Sequence, residues 1–106
     1  MEITLFYITT GDQAAASKLG HLAVDKKLAA CANYYPMQSI FPWDNEMKSE
    51  AEFVLILKTI PLLKNELAEF IITHHVYEVP CVMNWNVEVN DKYGDWVKKN
   101  VMSARK

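Results

Sequence analysis

The chain has 106 residues, with 11 lysines and arginines against 13 aspartates and glutamates, a net charge of −2, and 51% hydrophobic residues. A chain of this length buries roughly two thirds of the surface it exposes when unfolded, enough for one core, which excludes two independent domains. Acidic and basic residues are interspersed along it, so no basic footprint exists for a phosphate backbone or an anionic membrane.

Ile3 to Thr9 is rich in β-branched and aromatic residues and is followed by Gly11-Asp12, which predicts a first strand ending in a turn. Thr10 and Gln13 have capping-box spacing, so a helix is expected from Gln13 to Leu28. Its apolar face carries Ala15, Leu19, Leu22 and Ala23, and Lys26 and Lys27 complement the negative end of the helix dipole. Gly20 costs ~1 kcal/mol inside a helix relative to Ala, which points to a close approach to the sheet.

Ala29 to Trp43 reads as a long strand with a bulge or bend near Pro36, because proline donates no ladder hydrogen bond. Trp43-Asp44-Asn45-Glu46 supplies a hairpin turn, and a third strand is expected from about Glu52 to Thr59. The unbroken Phe53-Val54-Leu55-Ile56-Leu57 run implies burial on both faces. Pro61 suits a helix start, and Leu63, Leu67, Phe70 and Ile71 recur at helical spacing down to His74 or His75. From Cys81 to Val89 apolar residues alternate with polar ones, predicting a half-buried strand. Asn90-Asp91 then caps a short terminal helix carrying Tyr93, Trp96, Val97 and Val101.

The order is strand, helix, strand, strand, helix, strand, with a short C-terminal helix. It predicts an α+β, ferredoxin-like β-α-β-β-α-β domain over residues 1–106, with a four-stranded antiparallel sheet and both main helices on one face. The opposite face then lacks cover for its apolar area, including Tyr34, Tyr35, Phe41 and Trp43, and self-association is the simplest cover.

No apolar run approaches the ~20 residues that span a bilayer, and Met1 to Thr10 lacks the basic region and cleavage site of a signal peptide, so a cytoplasmic location is expected, without membrane or nucleic-acid partners. Cys31 and Cys81 form no Cys-x-x-Cys pair and are expected as thiols. The chain has no Gly-rich phosphate loop, no Gly-x-Ser-x-Gly and no His-Glu-x-x-His, and nothing nominates a catalytic constellation, so no enzyme is expected. RNA-recognition sheets share this topology, but the Lys/Arg-Gly-Phe/Tyr aromatic pattern on a basic surface is missing.

Three segments resemble one family, the divalent-cation tolerance proteins known as CutA. They are Lys27-Leu28-Ala29-Ala30-Cys31-Ala32-Asn33 with Pro36, Ser39-Ile40 and Trp43 following, then Leu55-Ile56-Leu57-Lys58-Thr59, then His75-Val76-Tyr77-Glu78-Val79-Pro80. A fourth, weaker match is Tyr93-x-x-Trp96. The resemblance implies a tight homotrimer whose second and third strands reach into neighbouring subunits, a role in tolerance to copper or another divalent cation, an architecture similar to the PII signalling proteins, and no organic cofactor. It also implies a copper site on a first-strand Cys, the first His of a pair and a Glu. Those positions here hold Ile8, His74 and Cys81, so one ligand is lost and a carboxylate has become a thiol.

His74 and Cys81 are thus the candidate metal ligands, a pair suited to Cu(I) or Zn(II). The alternatives are a helix C-terminal histidine stabilised by the dipole and a small buried hydrophobe. His75, about 100° from His74 on a helix, does not share an ion with it. His21 reads as structural. Cys31, among alanines, reads as a small packed residue of the family motif, and Trp43, Trp85 and Trp96 as core or interface. Lys58 and Glu78 could form a salt bridge fixing the hairpin, or, with Tyr77, line an intersubunit cleft for a small anion or metal. Two functions follow: a cytoplasmic homotrimeric metal-binding protein of copper or divalent-cation tolerance, or a PII-like signalling or scaffolding trimer that binds a small anionic ligand.

Overall fold

The computed structural model describes residues 1–102, so residues 103–106 of the expected domain lie outside the described residues. The strands are β1 (Glu2–Thr10), β2 (Cys31–Trp43), β3 (Glu46–Thr59) and β4 (Val82–Glu88). The helices are α1 (Gln13–Asp25), α2 (Lys64–His74), entered through a 3-10 turn at Pro61–Leu63, and α3 (Asp91–Met102). The sheet has the order β2-β3-β1-β4 and every pairing is antiparallel, which is the ferredoxin-like arrangement expected from the sequence.

Alternation fixes the two faces. Phe6 and Ile8 of β1 and Leu55 and Leu57 of β3 point toward the helices, where they meet Leu19 and Ala23 of α1 and Leu67 and Ile71 of α2 in one buried cluster. Gly20 lets α1 sit close to the sheet: a Cβ there would lie 3.1 Å from the Ala32 Cβ. On the other face, Ile3, Val97 and Val101 form a second cluster with Leu5, Val87 and Tyr93 packed against it, so α3 covers one end of that face. The rest of it keeps large apolar side chains exposed: Tyr35 at 45%, Met83 at 49% and Trp85 at 46%. The alternating apolar series of β4 therefore points away from the two main helices, and the uncovered apolar face expected from the sequence is present with a different membership. Tyr34, by contrast, shares the helix-side face with Phe53, their rings 6.4 Å apart.

Several local expectations are corrected. The N-cap of α1 is Asp12, whose Oδ1 accepts from the Ala15 amide at 2.8 Å, while the Thr10 hydroxyl donates to the Phe53 carbonyl at 3.1 Å. Thr10 is the last residue of β1 and is held by the ladder, which removes it from the helix end. The helix stops at Asp25 because Lys27 turns left-handed, at φ 60°. The Lys27 amide reaches the Val24 carbonyl and the Leu28 amide the Ala23 carbonyl, a Schellman closure without glycine.

No bulge forms at Pro36. β2 and β3 stay in one register from Cys31↔Lys58 to Trp43↔Glu46, because β2 is an edge strand and its outward positions need no ladder donor. Asp44 and Asn45, at φ 53° and 62°, make the two-residue turn. β3 consequently begins at Glu46 rather than Glu52. Since β1 pairs with β3 only as far as Thr10↔Phe53, the hairpin from Met37 to Glu52 projects past the sheet as an arm. The radius of gyration, 14.5 Å, exceeds the value of about 13 Å for a compact chain of this length.

Candidate functional site

Chemistry-bearing side chains gather where the arm leaves the sheet and the α2–β4 loop folds over it. His75 ends α2 in an extended conformation, and its ring is held at both nitrogens. Nε2 lies 2.7 Å from the Thr9 carbonyl and therefore donates, while Nδ1 accepts from the Tyr77 amide at 3.1 Å. Those partners define a neutral ring with its proton on Nε2 and leave no lone pair for an ion.

The next link in the loop is Tyr77. Its hydroxyl donates to Glu52 Oε2 at 2.6 Å, and its ring lies 4.7 Å from that of His75. Burial, then the hydrogen bond to Glu52, pushes the Tyr77 phenol well above its ordinary range. Glu52 is only 8% exposed. It sits at the root of the arm opposite Met37, and its charge also reaches Cys81, whose thiol is pushed up first by burial and then by that carboxylate. Tyr7 is pushed up by burial and by Tyr35, Cys81 and Glu52. A metal bound to Cys81 would have to displace a proton that these surroundings favour.

His74 lies on the other side of the helix terminus. Its Nδ1 donates to the Phe70 carbonyl at 2.8 Å and its ring packs on Phe70 at 4.2 Å, leaving Nε2 exposed and without a hydrogen bond from the described residues. It borders a small hollow of about 170 Å³ against Lys18 and Leu22 of α1. Ile8, at the position where the resemblance implies a cysteine ligand, is fully buried in the helix-side core. Among the described residues no group of three or more His, Cys, Asp or Glu side chains is disposed to hold a metal ion.

A concavity of about 600 Å³ lies between the arm and the loop. Trp43 and Tyr77 wall it, and its charged lining is Glu50, Glu52, Glu78 and Lys48. Lys48 is paired with Glu46 at 3.3 Å, so its charge is partly spent outside the cleft. Lys58 is elsewhere, with its ammonium 5.4 Å from the centroid of the Tyr93 ring, which itself stacks on Trp96 at 5.7 Å. Within one chain Tyr77 and Glu78 thus share a cleft that Lys58 does not line. Cys31 lies on the outer strand, its thiol 3.7 Å from Asn33 Oδ1.

Sequence reasoning did not single out Glu52, Glu50 or Thr9. A carboxylate two residues before Val54, on the same strand face as Val54 and Ile56, was the available signal for Glu52.

The family model of the CutA1 divalent ion tolerance protein matches residues 4–100. The chain is 35% identical over 96 residues to the chloroplastic protein CutA of Arabidopsis thaliana, covering 89% of this chain and 53% of that one. It is 31% identical over 96 residues to the divalent-cation tolerance protein CutA of Archaeoglobus fulgidus, covering 90% and 94%. The chain thus spans about half the length of the plant relative and nearly all of the archaeal one. Among solved structures, the fold superposes on the periplasmic divalent cation tolerance protein CutA from Archaeoglobus fulgidus with a TM-score of 0.88 at 29% identity, covering 93% of this chain and 98% of that one. It superposes on the divalent ion tolerance protein CutA1 from Ehrlichia chaffeensis with a TM-score of 0.90 at 30% identity, covering 93% and 94%.

Proposed function

Because the chain belongs to the CutA1 divalent ion tolerance family, we propose that it is a cytoplasmic homotrimeric metal-binding protein that contributes to tolerance of copper or another divalent cation. It acts by binding and not by catalysis, as one CutA-like domain over residues 1–106. The observation that carries this reading is the family match over residues 4–100. His74 supports it at the level of chemistry: the bond from Nδ1 to the Phe70 carbonyl orients the ring and leaves Nε2 available, the arrangement in which a carbonyl acceptor fixes the tautomer of a metal-binding imidazole. Cys81 is the proposed companion ligand, as a thiolate that suits Cu(I).

The trimer is supported by the uncovered apolar face of Tyr35, Met83 and Trp85, and by the arm with Ile40 and Met47 exposed near its tip. A second copy is the occupant that the chain itself can supply. Among the described residues no helix is long and apolar enough to cross a membrane. The PII-like alternative, a small anion bound near Lys58, Tyr77 and Glu78, draws less support, because Lys58 is engaged with Tyr93 and three carboxylates line the cleft beside Tyr77. Complementation tests the main reading: expression in a copper-sensitive, tolerance-deficient host restores growth in copper, and His74→Ala does not. Equal rescue by both would remove His74 from the function.

A further inference from the structure

Building on the copper reading for its two ligands, we infer that the α2–β4 loop is an autoinhibitory latch. It holds His74 and Cys81 on opposite faces of the sheet, and one ion reaches both only after the Tyr77–Glu52 bond opens. Their neighbours fix the two faces. His74 ends α2 on the helix side, at the rim of the hollow against Lys18 and Leu22 of α1. Val82 packs into the helix-side cluster, so Cys81 before it turns to the open face. Glu52 and Tyr7, whose charges act with that of the Cys81 thiol, stand on the open face too, since Phe53 and Phe6 beside them point to the helices.

Residues 75–80 join the two ligands and are pinned at three points. His75 Nε2 donates to the Thr9 carbonyl near the end of β1 at 2.7 Å, and the Tyr77 amide donates back to His75 Nδ1 at 3.1 Å. The Tyr77 hydroxyl passes beside Gly11 and donates to Glu52 at 2.6 Å. Burial adds little, because Val76 and Val79 are 85% and 68% exposed. A segment fastened by hydrogen bonds, with few buried apolar contacts, opens locally at lower cost than the whole fold unfolds.

Opening also frees the thiol. Cys81 lies one residue before the ladder begins at Ile8↔Val82, so it moves with the loop and not with the sheet. Released from its bonds, a loop of six residues spans up to roughly 20 Å, enough for Cys81 to meet the exposed Nε2 of His74. While the latch is closed, the form competent to bind with both ligands is a minor fraction, and the apparent affinity is lowered by that fraction.

The test pairs native-state amide hydrogen exchange with Cu(I) competition titration against a chromogenic chelator. It is run on the full chain as wild type, Tyr77→Phe, Glu52→Gln and the double variant Tyr77→Phe, Cys81→Ser. In metal-free wild type, the amide at position 77 is expected to exchange faster than those of Leu55 and Leu57 and with little dependence on urea, the mark of a local opening. In Tyr77→Phe that exchange becomes roughly tenfold faster and Cu(I) affinity rises by about the same factor, as loss of one charged hydrogen bond from the closed form requires. Adding Cys81→Ser abolishes the gain. Glu52→Gln keeps an acceptor for the hydroxyl, so it gives a smaller rise of the same sign and stands in for Tyr77→Phe where that variant does not fold. Exchange at position 77 only together with Leu55 and Leu57 would overturn the latch. Equally tight Cu(I) binding by wild type and Tyr77→Phe removes it too and leaves the copper reading standing, whereas no Cu(I) binding by any of the proteins defeats the copper reading and the latch with it.

Discussion

The Tyr77 hydroxyl donates to Glu52 Oε2 at 2.6 Å and ties the loop before β4 to the root of the projecting arm. The bond is charge-assisted and largely withdrawn from water, so it is stronger than an exposed one. Tyr77→Phe leaves the Glu52 carboxylate with no internal donor and is expected to cost about 1.5–3 kcal/mol in urea unfolding.

The same pair sets a pH dependence. The Tyr77 phenol is raised in the folded state, so its contribution is fully present below the unfolded tyrosine pKa of about 10 and is lost as pH rises toward the folded value. Cys81 and Tyr7 are raised as well, so stability should begin to fall near the ordinary thiol range and continue through the phenol range. Unfolding curves across this alkaline range should show a shallower decline in Tyr77→Phe than in wild type, and parallel curves would contradict the assignment.

Lys27 holds a left-handed conformation at φ 60° to close the C-terminus of α1. Only glycine adopts that region without a Cβ penalty. Lys27→Gly is expected to raise stability by about 0.5–1 kcal/mol, read as a higher urea midpoint at unchanged m-value.

Thr59 is fully buried and its hydroxyl has no hydrogen-bond partner among the described residues. Its ladder neighbour Thr4 donates instead to Asn86 Oδ1 at 2.6 Å. Thr59→Val keeps the shape and β-branching while removing an unsatisfied group, so a gain of about 1 kcal/mol is expected in thermal unfolding. A loss would mean that the hydroxyl is satisfied in solution.

Trp85 stands on the uncovered sheet face opposite Leu5. Placing a charge there should disfavour burial of that face against another copy. If the proposed trimer forms across this face, Trp85→Lys is expected to shift the species seen by sedimentation velocity toward monomer without changing the far-ultraviolet circular dichroism. A trimer of undiminished stability would move the interface elsewhere.

The element order was legible because each element carries its own period. Leu63, Leu67 and Ile71 recur at helical spacing and are all buried, and the close approach at Gly20 is real. What escaped depends on pairing partners. Asp12, not Thr10, caps α1 because β1 claims Thr10, and Pro36 leaves the pairing register unbroken because its strand has an empty outer edge. Local sequence could not say that β3 continues back to Glu46, since the Met47 to Glu50 stretch gains its strand character from pairing with β2. The candidate site was legible in its loop residues, His75, Tyr77 and Glu78, whereas Glu52 became visible only when the fold brought it under Tyr77.

Competitive titration of chelator-stripped protein with Cu(I) and Cu(II), run in parallel on wild type, His74→Ala and Cys81→Ser, tests the metal-binding account most directly. Stoichiometric binding tighter than about micromolar, lost in His74→Ala and weakened toward Cu(I) in Cys81→Ser, is the expected result. Weak binding that neither substitution changes would contradict it.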